Sequence, residues 1–425
     1  MIIRASLLLA ALTATAFSTD WPQYRGPAGD GTTPDKIATP WPSDGPKQLW
    51  KAPSQNGFSS FAVAGERCFT LELRDLEGGS QEALIARDAA TGKEAWVAGL
   101  GAVKYSGGGD DGAADNKGGD GPRSTPTLAG TSVITLNAAL VLQAFDAAAG
   151  KPLWKKDLIA EHGGRNINWQ NAASPLLEGG LIYVAGGGAG QSVLAVDAKD
   201  GKVVAKAFDE MMTHATPVAA TIAGQRQVIF FLQSGLLAVE PKTLKELWRY
   251  AFKFNVSSAA SPVVGGDIVY CSAGYDVGAG AVKVTKTGAK WEAKEIYRVP
   301  GNKQLANHWS TPVFFNGHLY GMFSFKQYGK GPLKCVDIAT GTVKWEQPGF
   351  GAGHLIRTGD RLLALSDVGE LVLIDAKPDA YKELARAKVL TGKCWTTPVL
   401  ANGSVFVRST KEAACFDLGN AVARR

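Results

Sequence analysis

The sequence predicts an all-β fold, an eight-bladed β-propeller built of four-stranded blades. Three observations support this prediction. Two short phrases repeat in step along the chain, their period matches that of a propeller blade, and the two ends of the chain complement each other.

The first phrase is an acidic residue, a short turn and a Trp placed eight residues after the acid, as in "CVDIATGTVKW". We expect the acid to satisfy the backbone of the turn and the Trp to pack over the neighbouring blade. Asp197 keeps the spacing with Ala205 in place of the Trp. The complete pairs are Asp88 and Trp96, Asp146 and Trp154, Glu240 and Trp248, and Asp337 and Trp345.

The second phrase is Ser or Thr before Pro, then an apolar run, a Gly turn and another apolar run, which indicates strand, turn and strand. Copies without the Pro, "SSFAVAGERCFTLE" and "HLIRTGDRLLALSDVGELVLIDA", complete the series. The chain therefore contains eight units of roughly 40 to 50 residues, each long enough for one blade. The prolines that mark the other units are Pro126, Pro175, Pro217, Pro262, Pro312 and Pro398.

The ends of the chain predict how the ring closes. The last unit, "ACFDLGNAVARR", has no Trp strand after it, while "KQLWKAP" around Trp50 is a Trp strand without a blade before it. We expect this N-terminal strand to complete the last blade, which removes exposed sheet edges. The predicted organisation is a signal peptide at 1–18, an N-terminal extension at 19–44 and the propeller at 45–425.

Composition and the N-terminus predict a periplasmic or secreted protein. The net charge of +6 comes without any run of Lys or Arg, so we expect no nucleic-acid partner. The start, "MIIRASLLLAALTATAFS", resembles a secretory signal followed by a cleavage site. Its apolar stretch is shorter than the ~20 residues of a membrane span, and no Cys follows for lipid attachment. We expect a monomer that is released after signal cleavage.

The repeats resemble a known family. The phrases of the form "DAxTGKxxW", with their preceding "SP" strands, are similar to the repeats of pyrroloquinoline-quinone (PQQ) type propellers. The phrases "DWPQYRGPAGDG" and "GDGPRSTPT" resemble PQQ-like propellers labelled as outer-membrane assembly factors of the BamB type. The resemblance implies the fold, but it leaves the activity open because the family includes both quinoprotein dehydrogenases and scaffolds without cofactor.

The sequence departs from both branches of this family. Quinoprotein alcohol dehydrogenases carry a disulfide between adjacent Cys and a calcium ion held by Glu, Asn and Asp. This chain has no adjacent Cys pair, and no motif places the calcium ligands. BamB is a lipoprotein, and the lipidated Cys is lacking here.

We therefore predict an exported binding or scaffolding module of the cell envelope, with an envelope protein or a small ligand at its top face. One alternative is a PQQ-dependent oxidoreductase acting on alcohols or sugars, with PQQ and calcium as cofactors. A further alternative is a carbohydrate-binding propeller. Whether the protein is an enzyme stays open, and no catalytic residue is assigned.

In a repeated ring, a functional position breaks the repeat. We aligned the residue three before each Pro, or its equivalent, and expect these residues to surround the top of the central channel. In blade order they are Phe58, Arg123, Ala172, His214, Ala259, Trp309, Ala352 and Trp395. Aromatic rings and a cation there suit a flat anionic ligand, although rings can also simply fill a channel mouth.

Three further positions adjoin this ring. His308 precedes Trp309, His354 stands where its neighbours have Ser or Thr, and "GRNINWQNAASP" leads into blade three. We assign no metal ligands. The predicted ligand-binding residues are Phe58, Arg123, Trp169, Asn171, His214, His308, Trp309, His354 and Trp395.

One insertion, "SGGGDDGAADNKGGDGPR" at 106–123, joins blades one and two on the same face. Its carboxylates could bind Ca²⁺, but their spacing matches no known site, and a solvated lid is the alternative.

Overall fold

The computed structural model describes residues 19–105, 121–256, 258–323 and 325–419. It contains eight sheets, in each of which the blade strands pair antiparallel, and this confirms the predicted eight-bladed all-β propeller. Among the described residues the one helix is α1 (Leu158–His162), and none is long and apolar enough to cross a membrane. The predicted signal peptide and most of the 106–123 insertion lie outside the described residues.

Two strands precede the first complete blade, β1 (Thr32–Thr33) and β2 (Lys47–Pro53). Within each blade the strands then run in order from the channel outwards. Blade one contains β3 (Ala62–Ala64), β4 (Arg67–Leu76), β5 (Gly79–Asp88) and β6 (Glu94–Gly101). Blade two contains β7 (Thr127–Ala129), β8 (Ser132–Leu136), β9 (Val141–Asp146) and β10 (Pro152–Asp157).

The next three blades have the same order. Blade three contains β11 (Leu176–Glu178), β12 (Leu181–Ala185), β13 (Val193–Asp197) and β14 (Val203–Ala207). Blade four contains β15 (Val218–Ile222), β16 (Gln225–Leu232), β17 (Gly235–Val239) and β18 (Glu246–Ala251). Blade five contains β19 (Val263–Gly265), β20 (Ile268–Ala273), β21 (Gly278–Thr287) and β22 (Lys290–Val299).

The remaining blades bring the chain back to its start. Blade six contains β23 (Val313–Phe315), β24 (His318–Met322), β25 (Leu333–Asp337) and β26 (Val343–Gln347). Blade seven contains β27 (His354–Thr358), β28 (Arg361–Leu365), β29 (Glu370–Asp375) and β30 (Glu383–Lys388). Blade eight contains β31 (Val399–Ala401), β32 (Ser404–Arg408) and β33 (Glu412–Asp417).

The ring closes as predicted. Strand β2 pairs antiparallel with β33 as the outermost strand of blade eight, with Trp50 opposite Cys415. Trp50 is buried, and its Nε1 donates to the carbonyl of Ala89 in blade one at 2.8 Å. The first and last parts of the chain thus form one sheet, so the ring has no open seam at this point.

The first phrase builds the outer corners of the blades. Asp88 Oδ1 accepts hydrogen bonds from the amides of Ala90 and Thr91, and Asp337 does the same for its own turn. The indole of each Trp then donates to a carbonyl of the next blade. These bonds join Trp96 to Ala147, Trp154 to Ala198, and Trp345 to Lys377.

The exception is Trp248, whose indole donates to the side chain of Gln227 in its own blade. The next blade also departs from the repeat, because the turn from β21 to β22 in blade five lacks the acidic phrase.

The second phrase joins neighbouring blades around the channel. Its Ser or Thr hydroxyl accepts a hydrogen bond from the backbone amide of the equivalent residue in the preceding blade. These repeated hydrogen bonds explain why Ser or Thr precedes Pro in most of the blades. The bonds join Ser60 to Thr125 at 3.2 Å, Thr125 to Ser174 at 2.8 Å, Ser174 to Thr216 at 2.9 Å, and Ser261 to Thr311 at 2.9 Å.

Apolar side chains fill the spaces between blades. Ile134 and Leu142 of blade two pack with Ile182 and Leu194 of blade three, and all four are fully buried. Similar clusters lie between the other blades, and burial of this apolar area stabilises the ring by about 25 cal/mol per Å².

The N-terminal segment lies across the bottom of the channel, the face opposite the starts of the innermost strands. The backbone of Trp21 exchanges two hydrogen bonds with Val63 in blade one, each 2.8 Å long. Further along, β1 pairs parallel with β27 in blade seven. The segment is thus packed against the ring, while the predicted boundary at residue 45 stays a prediction.

Candidate functional site

A cavity of about 350 Å³ occupies the top of the central channel, where the innermost strands begin. Its walls combine aromatic rings, two cationic side chains, three imidazoles and a band of Ser and Thr hydroxyls. The floor is formed by Tyr24 of the N-terminal segment. The aromatic, cationic and imidazole side chains of the walls belong to Phe58, Arg123, Trp169, His214, Tyr275, His308, Trp309, Lys326, Tyr328, His354 and Trp395.

The structure brings all but one of the predicted ligand-binding residues to this cavity. Asn171 is the exception, because its side chain is buried in the loop before blade three. There its Nδ2 donates to the carbonyls of Asn137 and Ala173, at 3.3 and 3.1 Å, and its Oδ1 accepts from the amide of Ala173. Asn171 therefore shapes the loop, whereas ligand binding by the other residues stays a prediction.

Four stacked rings form one wall of the cavity. The indoles of Trp309 and Trp395 lie 4.8 Å apart with an interplanar angle of 17°. Tyr328 stacks on Trp395 at 5.4 Å, and Phe58 stacks on the same indole at 5.3 Å. Ala352, the equivalent residue of blade seven, is small enough for the indoles of blades six and eight to meet. Offset stacking of this kind contributes about 0.5–1.5 kcal/mol for each pair beyond area burial.

Arg123 lies on the rim beside this wall. Its guanidinium is 5.9 Å from the ring centroid of Phe58 and 5.6 Å from that of Tyr105, and its Nη1 donates to the carbonyl of Trp169 at 2.9 Å. Behind it, the buried carboxylate of Glu82 accepts hydrogen bonds from Tyr105 and from the amide of Ala138. Burial raises the pKa of Glu82, and the hydrogen bonds together with Arg123 oppose that shift.

The three imidazoles are neutral at pH 7. Burial lowers the pKa of His214 to about 4, with Arg123 adding to the effect, and lowers the pKa of His308 and of His354 to about 3. His354 occupies the position of the Ser or Thr of the second phrase, and its Nδ1 lies 3.2 Å from the hydroxyl of Thr397 in blade eight. Each of the three rings keeps one buried nitrogen without a hydrogen-bond partner among the described residues.

Several lining residues escaped the sequence analysis. Tyr275, Lys326 and Tyr328 come from the loops between the second and third strands of blades five and six, which also reach the top face. The aromatic residues in "AGYDVG" and "KQYGKG" were a usable signal, since every such loop of a propeller returns to this face. The sequence did not predict Tyr24 as a lining residue, because the N-terminal segment belongs to no repeat that would give its position.

The family resemblance implies PQQ and calcium as cofactors, and the residues of the cavity walls suit the first better than the second. Stacked indoles and Arg123 suit a planar anion, but no carboxylate lines the cavity in the described ranges. Nor does that part of the chain hold a group of three or more His, Cys, Asp or Glu side chains placed to bind a metal ion. All five cysteines are free and buried, and no two are adjacent in the sequence. The calcium ligands and the disulfide of a quinoprotein are therefore not supplied by these walls.

The fold and the repeats define a PQQ-like β-propeller. The chain belongs to the family described as outer membrane protein assembly factor BamB, whose model matches residues 42–157, 80–309 and 329–421. This confirms the family resemblance that the repeats predicted.

One relative in this family is the outer membrane protein assembly factor BamB of Moranella endobia (strain PCIT). It is 26% identical over 301 residues, a stretch that covers 66% of this chain and 71% of the relative.

Solved structures show the same fold at low identity. BamB from Moraxella catarrhalis is 14% identical and superposes with a TM-score of 0.58 over 88% of this chain and 98% of its own. The quinohemoprotein alcohol dehydrogenase ADHIIG from Pseudomonas putida HK5 is 13% identical, with a TM-score of 0.63 over 95% of this chain and 81% of its own. Because BamB and an alcohol dehydrogenase both share this fold, the fold alone does not define the function.

Proposed function

We propose that this protein is an exported scaffold that serves the assembly of outer-membrane proteins and engages its partner at the channel mouth. The observation that carries the proposal is the aromatic cavity at the channel mouth, which Tyr24 lines from below. The family description and the name of the Moranella endobia relative support the assembly role.

The composition of the mouth supports binding there. Trp169, Trp309 and Tyr328 remain partly exposed on a concave surface, with Arg123 at the rim. Trp, Tyr and Arg are enriched among the residues that contribute most to protein interfaces. A partner that places an aromatic or acidic side chain over the stacked rings would use both kinds of contact.

A complementation experiment tests the assembly role. The chain, with an export signal, is expressed in a bacterium that lacks its own assembly factor of this family, and folded outer-membrane proteins are quantified by heat-modifiable gel mobility. We expect the wild-type chain to raise their level and the double variant Arg123→Ala, Trp395→Ala to raise it less. Lys290→Ala, on the exposed hairpin of blade five, is the matched control. A wild-type chain without effect contradicts the proposal.

The stacked indoles beside Arg123 are the one observation that favours the quinoprotein alternative. The purified protein is titrated with PQQ, with and without Ca²⁺, while Trp fluorescence and dye reduction with alcohols and sugars are followed. We expect no calcium-dependent saturation and no turnover, because no carboxylate lines the described walls. Saturable quenching with dye turnover would establish an oxidoreductase instead.

A further inference from the structure

We propose a second binding site on the bottom face, a groove under blades four and five that takes an acidic peptide in extended conformation. The groove is separate from the channel mouth and does not depend on the function proposed above. Its volume is about 340 Å³. One side is formed by residues of the N-terminal segment between Ala28 and Thr32, and the other by the innermost strands β15 and β19.

Inward-facing backbone amides are the first argument. Each innermost strand ends in a two-residue hairpin, as the closing pairs Ala129 with Ser132 and Gly265 with Ile268 show. In such a hairpin the closing residue bonds to the second strand, so the residue before it directs its amide towards the channel axis. The bottom of the channel is therefore surrounded by amide donors that the sheets themselves do not use.

The N-terminal segment supplies acceptors to these donors in four blades. The amide of Val63 donates to the carbonyl of Trp21, that of Leu128 to Pro22, and that of Arg357 to Gly31, at 2.7 to 2.9 Å. In blade three the amide of Leu177 donates to Oε1 of Gln23 at 3.0 Å. The protein thus already uses a peptide chain to satisfy this ring of amides.

Blades four and five are left out of this arrangement. Within the described chain, the stretch from Trp21 to Thr33 makes no hydrogen bond to either blade. Val264 stands directly before the closing residue of its hairpin, as Leu128 does. Ala219 stands three residues before the closing residue Ile222, where the alternation along the strand gives its amide the same direction. Both residues line the groove. A second extended chain laid here would offer its carbonyls to these amides, as strands do when they extend a sheet.

Charge selects the peptide. Three guanidinium groups line the groove, those of Arg25, Arg226 and Arg357, and Asp30 is the one carboxylate among the lining residues. Arg226 adds little net positive charge, because it donates two hydrogen bonds to the carboxylate of Glu178, at 3.0 and 2.6 Å. Arg25 is only 3% exposed, and its terminal nitrogens donate to three backbone carbonyls. The groove is thus cationic through Arg25 and Arg357, which favours acidic side chains.

Apolar side chains fit between those charges. Val218, Val263 and Phe314 also line the groove, so its walls alternate between apolar and cationic surface. An extended peptide directs successive side chains to opposite sides. A sequence that alternates Glu with Val is therefore the simplest match.

The test is a binding titration with a fluorescein-labelled acetyl-Val-Glu-Val-Glu-Val amide, followed by fluorescence anisotropy. A matched peptide with Lys for Glu is the control ligand. Val264→Pro removes the inward amide, and Pro is tolerated at a free strand edge. Val264→Ala keeps that amide and is the control variant. We expect binding of the acidic peptide only, and an affinity about fivefold weaker for Val264→Pro than for Val264→Ala.

Arg357→Gln provides a second test that does not rely on the proline. It is expected to weaken binding about tenfold, while Arg298→Gln, on the outermost strand of blade five, leaves binding unchanged. The double variant Arg123→Ala, Trp395→Ala should bind the peptide like the wild type, which separates this site from the channel mouth. No binding of the acidic peptide at millimolar concentration, equal binding of the Lys peptide, or equal affinities of all variants would overturn the proposal.

Discussion

Trp309 and Trp395 stack at 4.8 Å although they belong to blades six and eight. The contact bypasses blade seven, whose equivalent residue is Ala352, and Ala352 packs in the same cluster. A small residue between two large ones thus creates the aromatic wall of the cavity.

Ala352→Leu should separate the two indoles, since the larger side chain needs the space in which they meet. We expect the exciton signal of the coupled indoles in circular dichroism to disappear and the free energy of unfolding to fall by about 1–3 kcal/mol from overpacking. Ala259→Leu, at the same repeat position on the other side of the cavity, is the control and should keep the signal. An unchanged signal in Ala352→Leu would show that Ala352 does not set the stack.

The buried His308 should make stability depend on pH. Its pKa is about 3 in the folded chain against 6.5 in the unfolded chain, so below pH 6.5 only the unfolded chain gains the proton. Stability is therefore complete above pH 6.5 and falls as the pH drops towards 3, by about 1.4 kcal/mol per pH unit for this group. Urea unfolding of the wild type and His308→Gln between pH 7 and 5 measures the difference. Parallel pH profiles of the two proteins would contradict the prediction.

Ring closure should depend on Trp50. Trp50 is 6% exposed, packs beside Phe406 and bonds across to blade one. Trp50→Ala is expected to lower the free energy of unfolding by about 3–5 kcal/mol, as large-to-small changes in cores do. Trp345→Ala removes the same repeat residue at a more exposed position and should cost less. Denaturant unfolding compares them, and a smaller loss for Trp50→Ala would contradict this account of closure.

Arg25 should anchor the N-terminal segment beneath the channel. Its guanidinium bonds the carbonyls of Thr311 and Pro312, both at 2.7 Å. Arg25→Met should loosen the segment, so that hydrogen exchange speeds up at the amides of Val63 and Leu128, which bond to it. Arg165→Met, at an exposed ion pair, is the control. Equal exchange rates in both variants would show that other contacts hold the segment.

Much of this structure could be predicted because the chain repeats itself. Blade number, closure by the "KQLWKAP" strand and the corner role of Asp88 all follow from comparing one copy with the next. The same comparison exposed Trp309, Trp395 and Arg123 as departures at one position. A repeat fixes where equivalent residues lie, so any departure at such a position points to the channel.

The remaining features have no equivalent copy to compare. No repeat predicts where the N-terminal segment lies, and the packing of Trp21 and Arg25 places it across the bottom of the channel. Asn171 was predicted to line the cavity because its neighbours in sequence were, but its side-chain amide donates hydrogen bonds to backbone carbonyls of the surrounding loops instead. Tyr24 and Tyr328 come from segments that follow no repeat, so their place depends on tertiary packing alone.

The most direct test of the central claim is site-specific photocrosslinking in living cells. A photoreactive phenylalanine analogue replaces Tyr328 at the channel mouth and, as a control, Val204 on the outer rim of blade three, which is 51% exposed. We predict that position 328 forms an adduct with a component of outer-membrane protein assembly and that position 204 does not. Adducts only from position 204, or none from position 328 in cells whose outer-membrane proteins depend on this chain, would contradict the account.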